Sequence, residues 1–179
     1  IAGKDSKDVT TKAIPVPNYT EGLGRSIKGL RVGILKEYME HDGLDSEVRT
    51  VVETAAEVFR EAGASVKSVS VPFVSRSGPV FIALADSEAA AATDHVLRDN
   101  SAILDSATRT RLLAGSLTPS YIYHRALRAK AMLTNQFRAA LKDVDILISP
   151  TQPTAAPLIE TGEKVFASAE DVAQRLHTH

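Results

Sequence analysis

The sequence contains no cysteine and no tryptophan, and aromatic residues make up only 5% of it. Without cysteine there is no disulfide, no zinc–thiolate centre and no thiol nucleophile, and the absence is compatible with a reducing compartment. No apolar run approaches the roughly 18 residues of a membrane-spanning helix. There is no excess of either charge: 21 Lys and Arg against 22 Asp and Glu give a formal net charge of -1. That balance argues against a nucleic-acid surface and against an acidic disordered tail. The first residues, IAGKDSKDVTTKAIPVP, lack a basic segment followed by an apolar one, so no signal peptide is visible. The expectation is a cytoplasmic protein with no membrane contact and no nucleic-acid contact through this segment.

Metal chemistry is equally unsupported. The histidines are His41, His95, His124, His177 and His179. None pairs with another at the i, i+4 spacing of a helical zinc site, and His177 and His179 sit in the tail. Asp42 and Asp45 flank Gly43, but EHDGLDSE lacks the alternating oxygen ligands of a calcium loop, and Glu47 comes too early to close one. A helix-capping turn is the simpler reading. No metal and no cofactor are expected. No GxSxG elbow or glycine-rich phosphate loop occurs, and GLGRS (22–26) reads as a plain turn.

What is present is the patterning of an α/β chain, long enough at 179 residues for one domain with a core. Residues 1–29 read as irregular surface chain, broken by Pro15 and Pro17. LRVGIL (30–35) is a compact apolar strand, followed by a turn-rich linker, KEYMEHDG. A helix then begins at a cap on Asp45 or Ser46 and stops at Gly63. Val48, Val51, Val52, Ala55, Val58, Phe59 and Ala62 recur along it and predict a single core-facing stripe. ASVKSVSVP alternates and ends at Pro72, so a parallel, right-handed βαβ unit is expected. Further helices are predicted over about 79–98, with Pro79 in the first turn, over about 102–114, ending near Gly115, and from Thr118-Pro119 to about Leu141. A strand over 144–149 follows. Ser168 and Asp171 suggest a capping box for a last short helix.

Two features stand out against this background. Glu88 lies among alanines in FIALADSEAAAATDHVL, which predicts either a wet face or a structural hydrogen bond. The stretch DVDILISPTQPTAAP runs a strand into Pro150, Pro153 and Pro157. Proline fixes φ and cannot continue a ladder, so this segment is either a rigid wall beside a site or a rigid connector. By these criteria alone no catalytic set is visible.

The wording of several segments, in order, resembles the amidase signature family. They are IAGKDSKDVTTKAIPVPNY with IKGLRVGILKEY, then ALADSEAAAATDHVLRDN, TRTRLLAGSLTPSYIYHRALRAK and VDILISPTQPTAAPLI. The resemblance covers residues 1 to about 160. It implies a partial amidase-signature fold: a mixed sheet with a parallel βαβ unit flanked by helices. Residues 1–29 would be a lead-in, 30–160 the α/β part of the amidase domain and 161–179 a short helix and tail. It also implies cleavage of carboxylic amide C–N bonds by a serine nucleophile, with a second serine, a lysine base and no metal. In the family that catalytic set precedes the segment matched by residues 1–19. No catalytic residue is therefore assigned to this chain, which is expected to be inactive alone. Glutamine-dependent aspartyl/glutamyl-tRNA amidotransferase A subunits share the general plan, but commonly carry an insertion after the SEA helix. Here SEAAAATDHVLRDN passes directly into SAILDSATRTRLL, which favours a stand-alone amidase over the amidotransferase. A non-catalytic α/β binding domain is the third reading.

In the amidotransferase branch an arginine holds the substrate carboxylate, and counting from Ala126 places Lys130 there. Tyr123 and Leu127 share its helix face, at spacings of four and three residues. The resemblance thus implies substrate binding by Lys130, Tyr123 and Leu127; the plainer reading of Lys130 is a solvated helix residue over apolar surface. The implied partners are a small amide substrate, bound with the complete enzyme, and a second copy of the chain, since an interior piece of a larger sheet would expose apolar surface.

Overall fold

A capped helix between two parallel strands organises the fold. In the computed structural model, which describes residues 3–156, β1 (Arg31–Leu35) pairs in parallel with β2 (Ser65–Val69), Val32 opposite Val66 and Leu35 opposite Val69. Between them come α1 (Lys36–Met39) and α2 (Ser46–Glu61). The Asp45 side chain accepts from the Glu47 backbone N–H at 2.8 Å and caps the start of α2. At its end Gly63 takes φ +88°, and its N–H donates to the Arg60 carbonyl while that of Ala64 donates to Phe59. This paired arrangement needs a left-handed residue, which explains the glycine. The short α1 occupies part of what the sequence suggested was only a turn-rich linker.

The rest of the described chain is helical until the third strand. Pro72–Arg76 forms a 3-10 turn, followed by α3 (Ser77–Ala92), α4 (Asp94–Asp99), α5 (Ser106–Ser116) and α6 (Ser120–Asp143). The expected helix over 79–98 is thus two helices, separated at Thr93, whose hydroxyl donates to the Ala89 carbonyl. The third strand, β3 (Ile146–Ile148), pairs in parallel with β1, giving the order β2-β1-β3. All three described strands are parallel, so the antiparallel member of a mixed sheet is not among the described residues. Residues 3–29 contain no helix or strand, and GLGRS lies in their turns. The capping box proposed at Ser168 lies outside the described residues, as does Pro157. Among the described residues no helix is long and apolar enough to cross a membrane.

Arg31 and Asp145 set the register of the β1–β3 pair. The Arg31 guanidinium reaches Asp145 at 2.7 Å, its backbone N–H donates to the same carboxylate at 2.8 Å, and the Asp145 N–H donates to the Arg31 carbonyl at 2.7 Å. The Arg31 partner holds the Asp145 carboxyl below its ordinary range.

Alternation divides the sheet into two faces. Leu35, Val69 and Leu147 point to the side where Leu133, Phe137 and Ala140 of α6 pack, together with Val71 and Val74. On this side a Cβ at Gly33 would come within 2.7 Å of both Leu147 and Val69, so neighbouring side chains fill its place. Val32 points the other way and is fully buried, and α2 packs on β2. The stripe expected on α2 is correct only in part. Ala56 is buried and Val48, Val52 and Phe59 are half-buried, but Val51 and Val58 are 68% and 59% exposed, and Ala55 and Ala62 are exposed with them. The apolar residues span more of the helix circumference than one strand-sized contact can cover.

At 24 residues α6 is about 36 Å long, whereas five-residue strands reach about 17 Å. Its second half covers the sheet and its first half projects past the strands' carboxyl ends. There it packs on α3, which in turn packs on α5. Small residues permit this: Ala90, Gly115 and Ala126 are all buried. The helix ends near Gly115 as expected, one residue beyond it, but the glycine also serves packing: a Cβ there would sit 2.1 Å from the Asp86 carbonyl oxygen and 2.4 Å from its carbon.

Two predictions follow from this packing. Replacing Gly115 by alanine gains about 1 kcal/mol of helix propensity. The new methyl meets backbone that cannot rotate away, and overpacking costs about 1–3 kcal/mol. Gly115→Ala should therefore lower the urea midpoint. Gly22→Ala, with nothing within 4 Å, should leave it within about 0.5 kcal/mol of wild type. The second concerns Glu37 of α1, which accepts from the Ser70 hydroxyl at 2.5 Å and the Val71 N–H at 3.0 Å at the carboxyl ends of β1 and β2. Burial opposes its ionisation, but these hydrogen bonds together outweigh it and hold the carboxyl below the ordinary 4.5. Its folded value is depressed, so its stabilisation is full above the unfolded value and is lost as pH falls through the folded one. The stability gap between wild type and Glu37→Gln should be widest near neutrality and close below the ordinary glutamate value; a pH-independent gap in denaturant titrations would contradict this.

Candidate functional site

Helices α3, α5 and α6 border an open cleft of about 630 Å³. Its walls come from Ser87, Glu88, Ala90 and Ala91 of α3, Asp94 of α4, Gly115 and Ser116 of α5, Thr118, and Ser120 and Tyr123 of α6. The shape derives from helix contact. Because Gly115 has no side chain, α5 sits directly on the α3 backbone at Asp86 and Ser87, and the next residues outward form the walls. The crossing is locked at its edge by Arg111, which meets Asp86 at 2.5 Å. The Asp86 side chain is only 12% exposed, so it is far better shielded from water than a typical surface pair.

One polar contact spans the cleft. The Tyr123 hydroxyl donates to Glu88 Oε1 at 3.0 Å, joining α6 to α3. That bond to Glu88, with some desolvation and the carboxylate's charge, raises the Tyr123 pKa and keeps the phenol protonated. Glu88 itself is exposed. Both alternatives that the sequence offered for it, a wet face and a structural hydrogen bond, hold together. His124 stands edge-on to the Tyr123 ring, with centroids 6.0 Å apart, but does not line the cleft. Asp94 is paired with Arg98 at 2.6 Å.

Of the three residues implied as substrate-binding, Tyr123 lies in the cleft wall. Leu127 is 37% exposed and Lys130 is exposed further along α6, and neither lines the cleft. Among the described residues the Lys130 ammonium group has no ion pair or hydrogen bond, while its carbonyl accepts from the Thr134 hydroxyl at 2.8 Å. The proline segment is not part of this cleft either. It leaves the carboxyl end of β3 and runs to the start of α2, where the Asp45 N–H donates to the Pro153 carbonyl at 2.8 Å. Sequence reasoning passed over Gly115, Asp86 and Arg111. A glycine between strong helix formers, in TRTRLLAGSLTP, was the available signal, but it also fits a helix stop.

Among the described residues no serine hydroxyl is hydrogen-bonded to a lysine or histidine side chain, the arrangement an activated hydroxyl nucleophile needs; Ser26 Oγ accepts only from the Lys28 backbone N–H. No group of three or more potential metal ligands occurs among them.

Comparison with known proteins gives consistent results. The A subunit of the glutamyl-tRNA(Gln) amidotransferase of Alkalilimnicola ehrlichii is 35% identical over 87% of this chain and 37% of its own length. The chain thus spans little more than a third of the curated relatives it matches. Among solved structures, a protein of a vestigial complex that reveals the evolutionary origins of an s-triazine catabolic enzyme superposes with a TM-score of 0.74. It is 29% identical, over 89% of this chain and 34% of that one. A bacterial aryl acylamidase of the amidase signature enzymes superposes with a TM-score of 0.69, over 90% of this chain and 37% of that one; at 16% identity it speaks to the fold alone. The sequence model of the Amidase family matches residues 1–177, and the chain belongs to that family.

Proposed function

We propose that this chain is part of an amidase-signature hydrolase that cleaves carboxylic amide C–N bonds with a serine nucleophile that lies upstream of this segment. The observation that carries the reading is the family match along 1–177, joined to a fold shared with a bacterial aryl acylamidase. The absence of a serine–base pair among the described residues agrees with a nucleophile held elsewhere. In this reading the segment supplies part of the sheet and a helical wall, and needs no metal or cofactor. The substrate is a small amide bound with the complete enzyme, and the segment contacts no nucleic acid. The lack of cysteine suits a cytoplasmic setting.

Lys130, with Tyr123 and Leu127 on the same helical face, is proposed to approach the substrate in the complete enzyme. Lysine keeps a positive charge but lacks the planar fork with which arginine grips a carboxylate by two bonds. The complete enzyme should then prefer neutral or weakly anionic amides over free glutamine.

A second reading has a specific observation behind it. Curated relatives at 31–35% identity are named as the A subunit of glutamyl-tRNA(Gln) amidotransferase. Against it stands the direct passage from α3 through α4 into α5, with no room for the insertion expected after the SEA helix. A non-catalytic binding domain is the remaining reading.

These proposals yield three expected outcomes. The purified 179-residue chain should hydrolyse no simple aryl amide above a heat-killed control; turnover would require a new site within it. In the complete enzyme, Lys130→Ala should change the ranking of amide substrates while leaving thermal stability near wild type. Efficient glutaminase activity unaffected by that substitution would remove Lys130 from the site. Finally, Val51 and Val58 lie exposed on α2, and β2 and β3 each leave one edge unpaired within the described sheet. The isolated chain should therefore self-associate with rising concentration in sedimentation velocity, whereas a clean monomer at high concentration would argue against it.

A further inference from the structure

The α3–α5–α6 cleft, which shares Tyr123 with the face of α6 proposed to meet the substrate, has a hydrogen-bonding character of its own. Of the five hydroxyls that line it, four have their protons committed to acceptors; that of Ser120, at the start of α6, has no hydrogen bond among the described residues. Ser87 Oγ donates to the Ala83 carbonyl at 2.8 Å, Ser116 Oγ to Leu113 at 2.7 Å and Thr118 Oγ1 to Ala114 at 3.2 Å. The fourth, on Tyr123, donates to Glu88. A hydroxyl whose proton is committed still carries lone pairs, so each of these oxygens is left as an acceptor.

The charges point the same way. Of the carboxylates at or beside the cleft, Asp86 is neutralised by Arg111 and Asp94 by Arg98. Among the described residues Glu88 has no cationic partner; its bond is to a neutral phenol, and its second oxygen is uncommitted. The donor-rich feature at this cleft is the start of α6, where Pro119 occupies the cap position without a side-chain cap and Ser120 begins the helix. The two features favour ligands of opposite charge, and a full carboxylate outweighs the roughly half charge of a helix end. With fewer than three potential metal ligands grouped there, the fitting cation is organic rather than metallic.

We propose that this cleft binds a cationic amine, with Glu88 as its charge partner and the oxygens of Ser87, Ser116, Thr118 and Tyr123 accepting from its N–H groups. Ala90, Ala91 and Gly115 provide the small apolar surface for the carbon adjoining the ammonium group.

The test uses the 179-residue chain, labelled with ¹⁵N, and three probes on one butyl frame: n-butylammonium, pentanamide and pentanoate. At low salt the ammonium probe should shift the amides of Glu88, Gly115 and Tyr123 saturably. Its Kd should be at least about tenfold below that of either other probe, the ratio expected when one charged hydrogen bond replaces a neutral one. Added salt should weaken it, and Glu88→Gln should raise its Kd by about tenfold. Should that variant not fold, the wild-type chain still decides the matter: raising the salt should weaken ammonium binding and leave pentanamide binding unchanged. Equal or tighter binding of the carboxamide, pentanoate preferred at the α6 start, no saturable shift by any probe, or ammonium binding indifferent to Glu88 and to salt would each overturn the proposal.

Discussion

The approach of α5 to the backbone of α3 at Gly115 is the constraint on which the helical half of this molecule depends. With an atom in the place of a Cβ only 2.1 Å from the Asp86 carbonyl oxygen, the two helices could not meet as they do. Their contact brings Arg111 onto Asp86, sets Ser116 and Thr118 opposite Ser87 and Glu88, and leaves Tyr123 of α6 close enough to bridge to Glu88. A cleft lined by several helices needs them close at one level and parted at the next. A single missing side chain supplies the first condition, and the polar pairs hold the second.

The sheet follows a similar logic with different chemistry. Three short parallel strands cannot hold a register by apolar alternation alone, since β3 has only three residues. The Arg31–Asp145 fork fixes the start of β1 against the start of β3, and the Glu37 carboxylate ties α1 to the chain leaving β2 at the opposite, carboxyl edge. Parallel strands place their carboxyl ends on one side. There the projecting half of α6, the Glu37 contacts and the proline segment all lie. In open α/β sheets this is the side that receives ligands. Asp45 adds a link across it: its side chain caps α2 while its N–H holds the Pro153 carbonyl, so the segment after β3 is fastened to the helix after β1.

Family membership and local chemistry answer different questions here. The match to the amidase family rests on the order of segments along the chain, which local chemistry cannot reproduce. The described residues contain no activated serine of their own. They do contain a structural frame and a cleft in which the Glu88 carboxylate lies near the start of α6.

The sequence by itself determined the elements whose signals are local. The Asp45 cap, the left-handed Gly63, the alternation in β2 and the long period of α6 each depend on neighbours a few residues away, and each appears in the structure within a few residues of its expected place. The same local reading could not say what covers a surface. Val51 and Val58 belong to the apolar stripe of α2 yet remain exposed, because burial is decided by whichever element packs there, not by the stripe itself. Nor could it give Gly115 its role, since a glycine serves a helix stop and a helix crossing equally well. The bond between Glu88 and Tyr123 joins residues 35 positions apart, and that of Arg31 with Asp145 spans 114. Such pairs have no signature in one sequence: their partners are chosen by the folding of α3, α5 and α6 against one another and by the parallel return of β3 to β1. The tertiary structure alone decided them, because only packing brings distant side chains to within 3 Å.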